Sequence, residues 1–238
     1  MEPEHIPDTV SGLRAEPMTE DCRLIWKRGD HALIGISGGN SYFNQYRLSA
    51  LMQWAADHFA EIDVVYVDTH MEDLLIADGR SPEDAARSVR RTMKDVRRRI
   101  RRSLEGMGPR AALFRVRALS EFMDMEEYQK IRERAEHALR DDREFSAACD
   151  RMVHQVMLNK KGDPSTISPE YMQAGRKYVL AEAPLFIDSP AIFDVPSSTL
   201  LYHLRTPVTE CLAWDQSGFR AAREQGYVVV GPPPENTD

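Results

Sequence analysis

The chain of 238 residues holds 31 Lys and Arg against 38 Asp and Glu, a formal net charge of −7, with 42% hydrophobic residues. That supports one domain with a core of its own, and no run of 18 apolar residues offers a membrane span. The opening MEPEHIPD has neither a basic nor an apolar signal region, and Cys22, Cys149 and Cys211 form no CxxC pair, so a cytoplasmic protein with reduced thiols is expected.

In chain order, residues 1–20 are polar and Pro-containing and read as a flexible arm. HALIGI at 31–36 is a short apolar strand broken by SGGNS at 37–41, and Leu48, Leu51, Trp54, Ala55 and Phe59 then mark an amphipathic helix. IDVVYV at 62–67 is a buried strand, and LFRVR at 113–117 is a third. Residues 121–158 read as helix, 159–170 as loop, and 171–181 as a helix ending before Pro184. STLLYHL at 198–204 and GYVVV at 226–230 are further strands, followed by a disordered tail at 231–238. Apolar strands separated by helices predict an α/β fold, a mostly parallel sheet with helices on both faces, in one domain over 21–230. Ligands of such folds sit at the carboxyl ends of strands, which singles out the first strand-to-helix turn.

Residues 87–102, RSVRRTMKDVRRRIRR, contain eight Arg and one Lys against one Asp, leaving −15 on the rest of the chain. Val89, Met93, Val96, Ile100 and Leu104 form an apolar stripe, and Ser81-Pro82-Glu83-Asp84 supplies a cap, a Pro start and first-turn acids. The spacing predicts a helix of about six turns. Arg87, Arg91, Lys94, Arg98, Arg99, Arg101 and Arg102 lie along its polar side. Like charges at i,i+4 destabilise a helix, so the ridge points to an anionic partner over a merely solvated face. The acidic remainder would repel long duplex DNA and suits a limited RNA footprint such as a tRNA arm.

The turn GISGGNSYF admits three chemical readings. Gly35-Ile36-Ser37-Gly38-Gly39 fits the G-x-S-x-G nucleophile elbow, with His203 as base and Glu182 or Asp194 as orienter, yet only one strand precedes Ser37. As a phosphate loop it lacks G-x-x-x-x-G-K-[ST] and G-x-G-x-x-G, which leaves a glycine turn with Ser37 capping a helix. The third reading uses the wider context. HALIGISGGNSYFN at 31–44 and YVLAEAPLF at 178–186, the latter containing Tyr-x-x-x-Glu-x-Pro, resemble the two signatures of the cyclodipeptide synthases, with the arginine-rich helix between them and Tyr202 following. The resemblance runs from about residue 22 to 230 and is nearest the actinobacterial branch with Asn at the position of Asn40.

The resemblance implies a Rossmann-like domain similar to the catalytic domain of class Ic aminoacyl-tRNA synthetases. It implies an aminoacyltransferase that joins the amino acids of two aminoacyl-tRNAs into a 2,5-diketopiperazine, without cofactor or metal, as a monomer. Ser37 would carry aminoacyl and dipeptidyl esters in turn, dividing one condensation into easier acyl transfers. Tyr178 and Glu182, four apart on one helix face, would hold and deprotonate an α-ammonium; by spacing alone they read as a boundary Tyr and a surface Glu, and the resemblance is what gives them this role. Tyr202 would relay a proton, and Asn40 would orient the loop. Leu33, Gly35, Leu119 and Leu185 would line an apolar first pocket, and Met152, Gln155, Asn159, Leu204 and Thr206 would border a second. Arg205, with Lys160, suggests a second residue that is acidic, as in cyclo(Ala-Glu), unless Arg205 faces tRNA or solvent. The alternatives from other classes are a non-catalytic tRNA-binding module and a serine hydrolase.

Overall fold

The computed structural model describes residues 9–10, 12–161, 167–214 and 218–232, with the side chains of 9–10 and 157–161 outside that description. The elements are β1 (Thr9–Val10), β2 (Leu13–Pro17), α1 (Glu20–Arg28), β3 (His31–Ile36), α2 (Gln45–His58), β4 (Glu61–Tyr66), α3 (Met71–Ala77) and α4 (Pro82–Glu105). After a 3-10 turn come β5 (Phe114–Ala118), a second 3-10 turn, α5 (Glu126–Asp141), α6 (Arg143–Lys161), α7 (Pro169–Ile187), α8 (Ser189–Phe193), β6 (Ser198–Tyr202), α9 (Pro207–Ala213) and β7 (Gln225–Gly231).

The seven-stranded sheet has the order β1-β2-β7-β6-β3-β4-β5. Strands β3 to β7 are mutually parallel, and β2 runs antiparallel to β7. From β3 the chain moves outward to β4 and β5, then crosses back to β6 and β7. The order therefore reverses between β3 and β6, and the crevice of such a fold opens above their carboxyl ends. Alternate strand residues feed two cores. Ile34, Ile36, Val64 and Leu201 join α2 and α4 on one face, while Leu33, Val65 and Leu200 join α5, α6 and α7 on the other.

A buried polar chain ties four strands together across the sheet. Ser198 and His31 are 2.8 Å apart, His31 and Asp63 3.1 Å, and Arg115 and Arg117 both donate to Asp63 at 2.9 Å. Burial pushes the Asp63 carboxyl up, but His31 and Arg117 outweigh it and hold the pKa below its ordinary value.

Helix α4 forms as its sequence predicts. Ser81 accepts from the Asp84 amide at 3.2 Å, Pro82 opens the first turn, and Val89, Met93, Val96 and Ile100 are buried. Four expectations need correction. Leu13–Pro17, assigned to a flexible arm, is a strand paired to β7 from Arg14↔Gly231 to Pro17↔Val228, because β7 would otherwise present an open edge. Gly231, assigned to the tail, belongs to that pairing. The helix expected over 121–158 is two helices, broken where the Asp142 carboxylate accepts from the amides of Glu144 and Phe145 and starts α6. Helix α7 continues through Pro184 to Ile187, its last turn closed by the Asp188 amide on the Pro184 carbonyl at 3.0 Å.

Candidate active site

Ser37 is the first residue beyond β3, at the reversal point of the sheet, and Tyr202 is the last residue of the neighbouring β6. The chain turns sharply after Ser37. The Asn40 amide donates back to the Ser37 carbonyl at 3.3 Å, and Gly39 sits at φ 82°, a left-handed conformation that favours glycine. Gly38 is held close to two methionines: a Cβ there would lie 2.6 Å from Met71 Sδ and 2.8 Å from Met93 Cε. Asn40 uses both ends of its side chain. Its Oδ1 accepts from the Tyr42 amide at 2.9 Å, and its Nδ2 donates to the Tyr202 hydroxyl at 3.2 Å.

Helix α4 braces the far end of this loop. Arg99 donates to the Phe43 carbonyl, and Gln45 donates to Ser103 Oγ at 2.9 Å. Phe43 itself is buried beneath Tyr202 and His203. Ser37 is not a helix cap, since Asn44 caps α2 by accepting from the Arg47 amide.

From the opposite side α7 brings Tyr178 and Glu182, one turn apart on the face that looks toward the loop. The Ser37 hydroxyl interacts with both phenols, Tyr178 and Tyr202. Burial pushes Glu182 up to about 8, with no cation among the described residues pulling it back. Both phenols are raised chiefly by burial and next by the Glu182 charge, while the Ser37 hydroxyl draws them partly down. Serine, two phenols and a buried carboxyl thus share one small volume. Perturbed groups of this kind gather at functional sites. Tyr128, fully buried, donates to the Ala181 carbonyl at 2.7 Å and fixes α7 beside Glu182.

The hydrolase arrangement does not assemble. His203 stacks on Tyr42 with ring centroids 3.9 Å apart, its pKa lowered to about 4 by burial and Arg47, and Asp194 is exposed at the end of α8. The partners of Ser37 are phenols, not an imidazole.

Leu33, Leu119 and Leu185 are buried in one apolar cluster on the α7 side of the sheet. Gly35 is two residues beyond Leu33 on the same strand face, and a Cβ added to it would meet nothing within 4 Å. The strand face at Gly35, two residues before Ser37, is therefore open. Of the second set, Met152 and Gln155 are half-buried one turn apart on α6, and Leu204 is half-buried after β6. Thr206 is buried and spends its hydroxyl on capping α9, accepting from the Thr209 amide at 3.2 Å, and the Asn159 and Lys160 side chains lie outside the described residues. Arg205 is bound to Glu16 of β2, so its charge is already met and the inference of an acidic second residue is withdrawn.

On α4, Arg87, Arg91, Lys94, Arg98, Arg101 and Arg102 are exposed as expected, but Arg99 turns inward to Phe43. Arg87, Arg98 and Arg101 pair with Asp84, Asp95 and Glu105 of their own helix. The bracing by Gln45, Arg99, Met71 and Met93 leaves no signal in the sequence, because those contacts join segments distant in the chain. Among the described residues no group of three or more His, Cys, Asp or Glu is placed to hold a metal, and no helix is long and apolar enough to cross a membrane.

The model of the family described as cyclodipeptide synthase matches residues 13–232. The chain is 55% identical over 227 residues to the cyclo(L-leucyl-L-phenylalanyl) synthase of Streptomyces noursei, covering 95% of each chain. It is 37% identical to the cyclo(L-tyrosyl-L-tyrosyl) synthase of Mycobacterium tuberculosis, covering 95% of this chain and 79% of that one. A crystal structure of a cyclo(L-leucyl-L-phenylalanyl) synthase superposes with a TM-score of 0.87 over 93% of this chain and 99% of that one. A Mycobacterium tuberculosis structure, reported as demonstrating that cyclodipeptide synthetases are related to type I tRNA synthetases, gives a TM-score of 0.84 at 37% identity over 97% of this chain and 98% of that one. The chain is accordingly a member of the cyclodipeptide synthase family, a family of enzymes.

Proposed function

We propose that the enzyme takes its amino acids from two aminoacyl-tRNAs and joins them by way of esters on Ser37. The Ser37 oxygen attacks the first aminoacyl ester, the carbonyl–ribose bond breaks, and the leaving ribose oxygen takes a proton as free tRNA departs. The amine of the second aminoacyl-tRNA then attacks the seryl ester, which frees the Ser37 hydroxyl and leaves a dipeptidyl-tRNA; Ser37 attacks that ribose ester, the second tRNA departs, and the dipeptidyl ester closes through its own amine and releases the serine. Each step exchanges one acyl bond for another, so no nucleotide or metal is needed to supply energy.

What supports this reading most is that the Ser37 hydroxyl draws down both the Tyr178 and the Tyr202 phenol while the charge of the buried Glu182 raises both, so that the four groups act on one another. Glu182 and Tyr178 are acceptors suited to an α-ammonium, and a carboxyl near pKa 8 can take a proton from an amine about to attack. Tyr202, oriented by Asn40, passes protons to and from the ribose and seryl oxygens. The open strand face at Gly35, which follows Leu33 of the apolar cluster that also holds Leu119 and Leu185, takes an apolar first side chain. Together with the 55% identical relative named for leucine and phenylalanine, this favours a product of two apolar residues.

The test is to incubate the protein with a full set of charged tRNAs and separate the diketopiperazines. Product that disappears with Ser37→Ala and depends on tRNA supports the reading. Turnover of simple esters without tRNA would overturn it in favour of a hydrolase, and tRNA binding without product would leave a binding module.

A further inference from the structure

Helices α6 and α9 pack against each other and leave a hollow of about 510 Å³ between them. None of Ser37, Tyr178, Glu182 and Tyr202 lines it. On one wall α6 sets Arg143, Ala147 and Arg151 one turn apart, with Glu144 beside the first. The short Ala147 side chain between the two arginines leaves the hollow its room. On the other wall Glu210 stands one turn before Trp214, whose amide closes α9 on the Glu210 carbonyl at 3.3 Å. The hollow lies within the ordinary range for small-ligand sites, roughly 300–1,000 Å³.

Both signs of charge face this space and neither is used. Arg143, Glu144, Arg151 and Glu210 make no side-chain ion pair or hydrogen bond with any described residue. Pairing is available on the same helix, since Asp150 accepts from Arg176 at 2.6 Å. The four charges of the hollow are thus held apart from one another across it. Two carboxylates disfavour a phosphate chain, and two guanidiniums disfavour a metal ion. A ligand with one charge of each sign satisfies both walls. A carboxylate matches the guanidinium fork, and an ammonium donates to carboxylate oxygens. Trp214 adds an apolar plate: it is 40% exposed, whereas Trp26 and Trp54 are 2% and 0% exposed.

We propose that this hollow is a ligand site separate from the Ser37 cleft, built for a zwitterion with an apolar side chain. The ligand is a free α-amino acid or a linear dipeptide. Its carboxylate lies on Arg143 and Arg151, its ammonium on Glu144 and Glu210, and its side chain against Trp214. Bound there it bridges two helices that matter to the rest of the molecule, for α6 also carries Met152 and Gln155, and Leu204 and Thr206 lead directly into α9.

The test titrates L-phenylalanine and L-phenylalanyl-L-leucine into the full chain by calorimetry, with Trp214 emission followed in parallel. Saturable binding with a change in emission is expected, and Trp214→Phe should remove the emission change. N-acetyl-L-phenylalanine and L-phenylalaninamide each lack one charge and should bind about tenfold more weakly, the scale of one lost hydrogen bond to a charged group. The cyclic dipeptide of the same residues lacks both charges and should not bind. Arg151→Gln and Glu210→Gln should each weaken binding by a similar factor, and Glu182→Gln in the Ser37 cleft should leave it unchanged. Tighter binding of phenylalanine than of the dipeptide names the amino acid as the ligand, and the reverse order names the dipeptide; either supports the site. No saturable binding, analogues that bind as well as their parents, or weakening by Glu182→Gln in place of Glu210→Gln overturns the proposal. No tRNA is present, so the outcome does not depend on the acyl-transfer role of Ser37.

Discussion

Asn40 donates its side-chain amide to the Tyr202 hydroxyl at 3.2 Å, across 162 residues of chain. This bond joins the loop after β3 to the end of β6 at the point where the sheet order reverses, and it aims the phenol at Ser37. Tyr202→Phe should lower kcat by about 10²–10⁴, the usual span for a lost proton-transfer group, with an unchanged melting temperature. Asn40→Ala should lower kcat less, and the double variant should be no slower than Tyr202→Phe alone, because Asn40 acts through that hydroxyl. Additive losses in a double-mutant cycle would separate the two residues.

Glu182 sets a pH signature. With its carboxyl pushed up to about 8 by burial, the empty site is neutral there at pH 7. If the ionised form receives the amine proton, kcat/KM rises with pH, about tenfold per unit, and levels near pH 8. Stability moves the opposite way. A raised folded pKa gives stability that is complete below the unfolded value of about 4.5 and lost as pH rises through about 8. Glu182→Gln should abolish both trends, as read by kinetics and by thermal melts across pH 4 to 9.

Arg99 turns inward where most of its basic neighbours on α4 face solvent. Its guanidinium holds the Phe43 carbonyl, so Arg99→Ala should cost about 1.5–3 kcal/mol, the range for a hydrogen bond to a charged group. It should also lower kcat by loosening the Ser37 loop. The exposed Arg102→Ala should leave the melting temperature unchanged and weaken tRNA binding, measured by salt titration.

Helix α7 is seated by Gly175, where an added Cβ would press on both methyls of the buried Val153 and come within 3.2 Å of its Cβ. Gly175→Ala should destabilise by about 1–3 kcal/mol through overpacking and lower kcat by shifting Tyr178, one turn further on. Val153→Ala in the same chain should restore much of both losses, as denaturant midpoints and initial rates will show.

The five parallel strands and helix α4 were legible because each carries its own signal. The strands are apolar runs such as HALIGI and IDVVYV, and α4 has a cap, a Pro start and a stripe of period 3.6. Strand β2 was not legible, since LRAEP has little apolar content and becomes a strand only by covering the edge of β7. At the site, the turn after β3 and its Ser37 stood out from the strand pattern and the G-x-S-x-G spacing, but the grouping of Tyr178, Glu182 and Tyr202 with it came only by resemblance; a lone Glu in AEAP reads as surface until the fold buries it. Arg205 misled for a related reason. Its partner Glu16 lies in a segment read as a flexible arm, so its charge looked available for a substrate. Arg99 looked like one more ridge cation because periodicity places a side chain on a face but does not say which backbone carbonyl it meets.

The most direct measurement is intact mass spectrometry of the protein after brief incubation with charged tRNAs, rapidly quenched in acid. The account predicts an added mass equal to one aminoacyl group, mapped by peptide digestion to Ser37 and absent in Ser37→Ala. Diketopiperazine formed at an undiminished rate by Ser37→Ala, or an acyl group mapped to another residue, would contradict it.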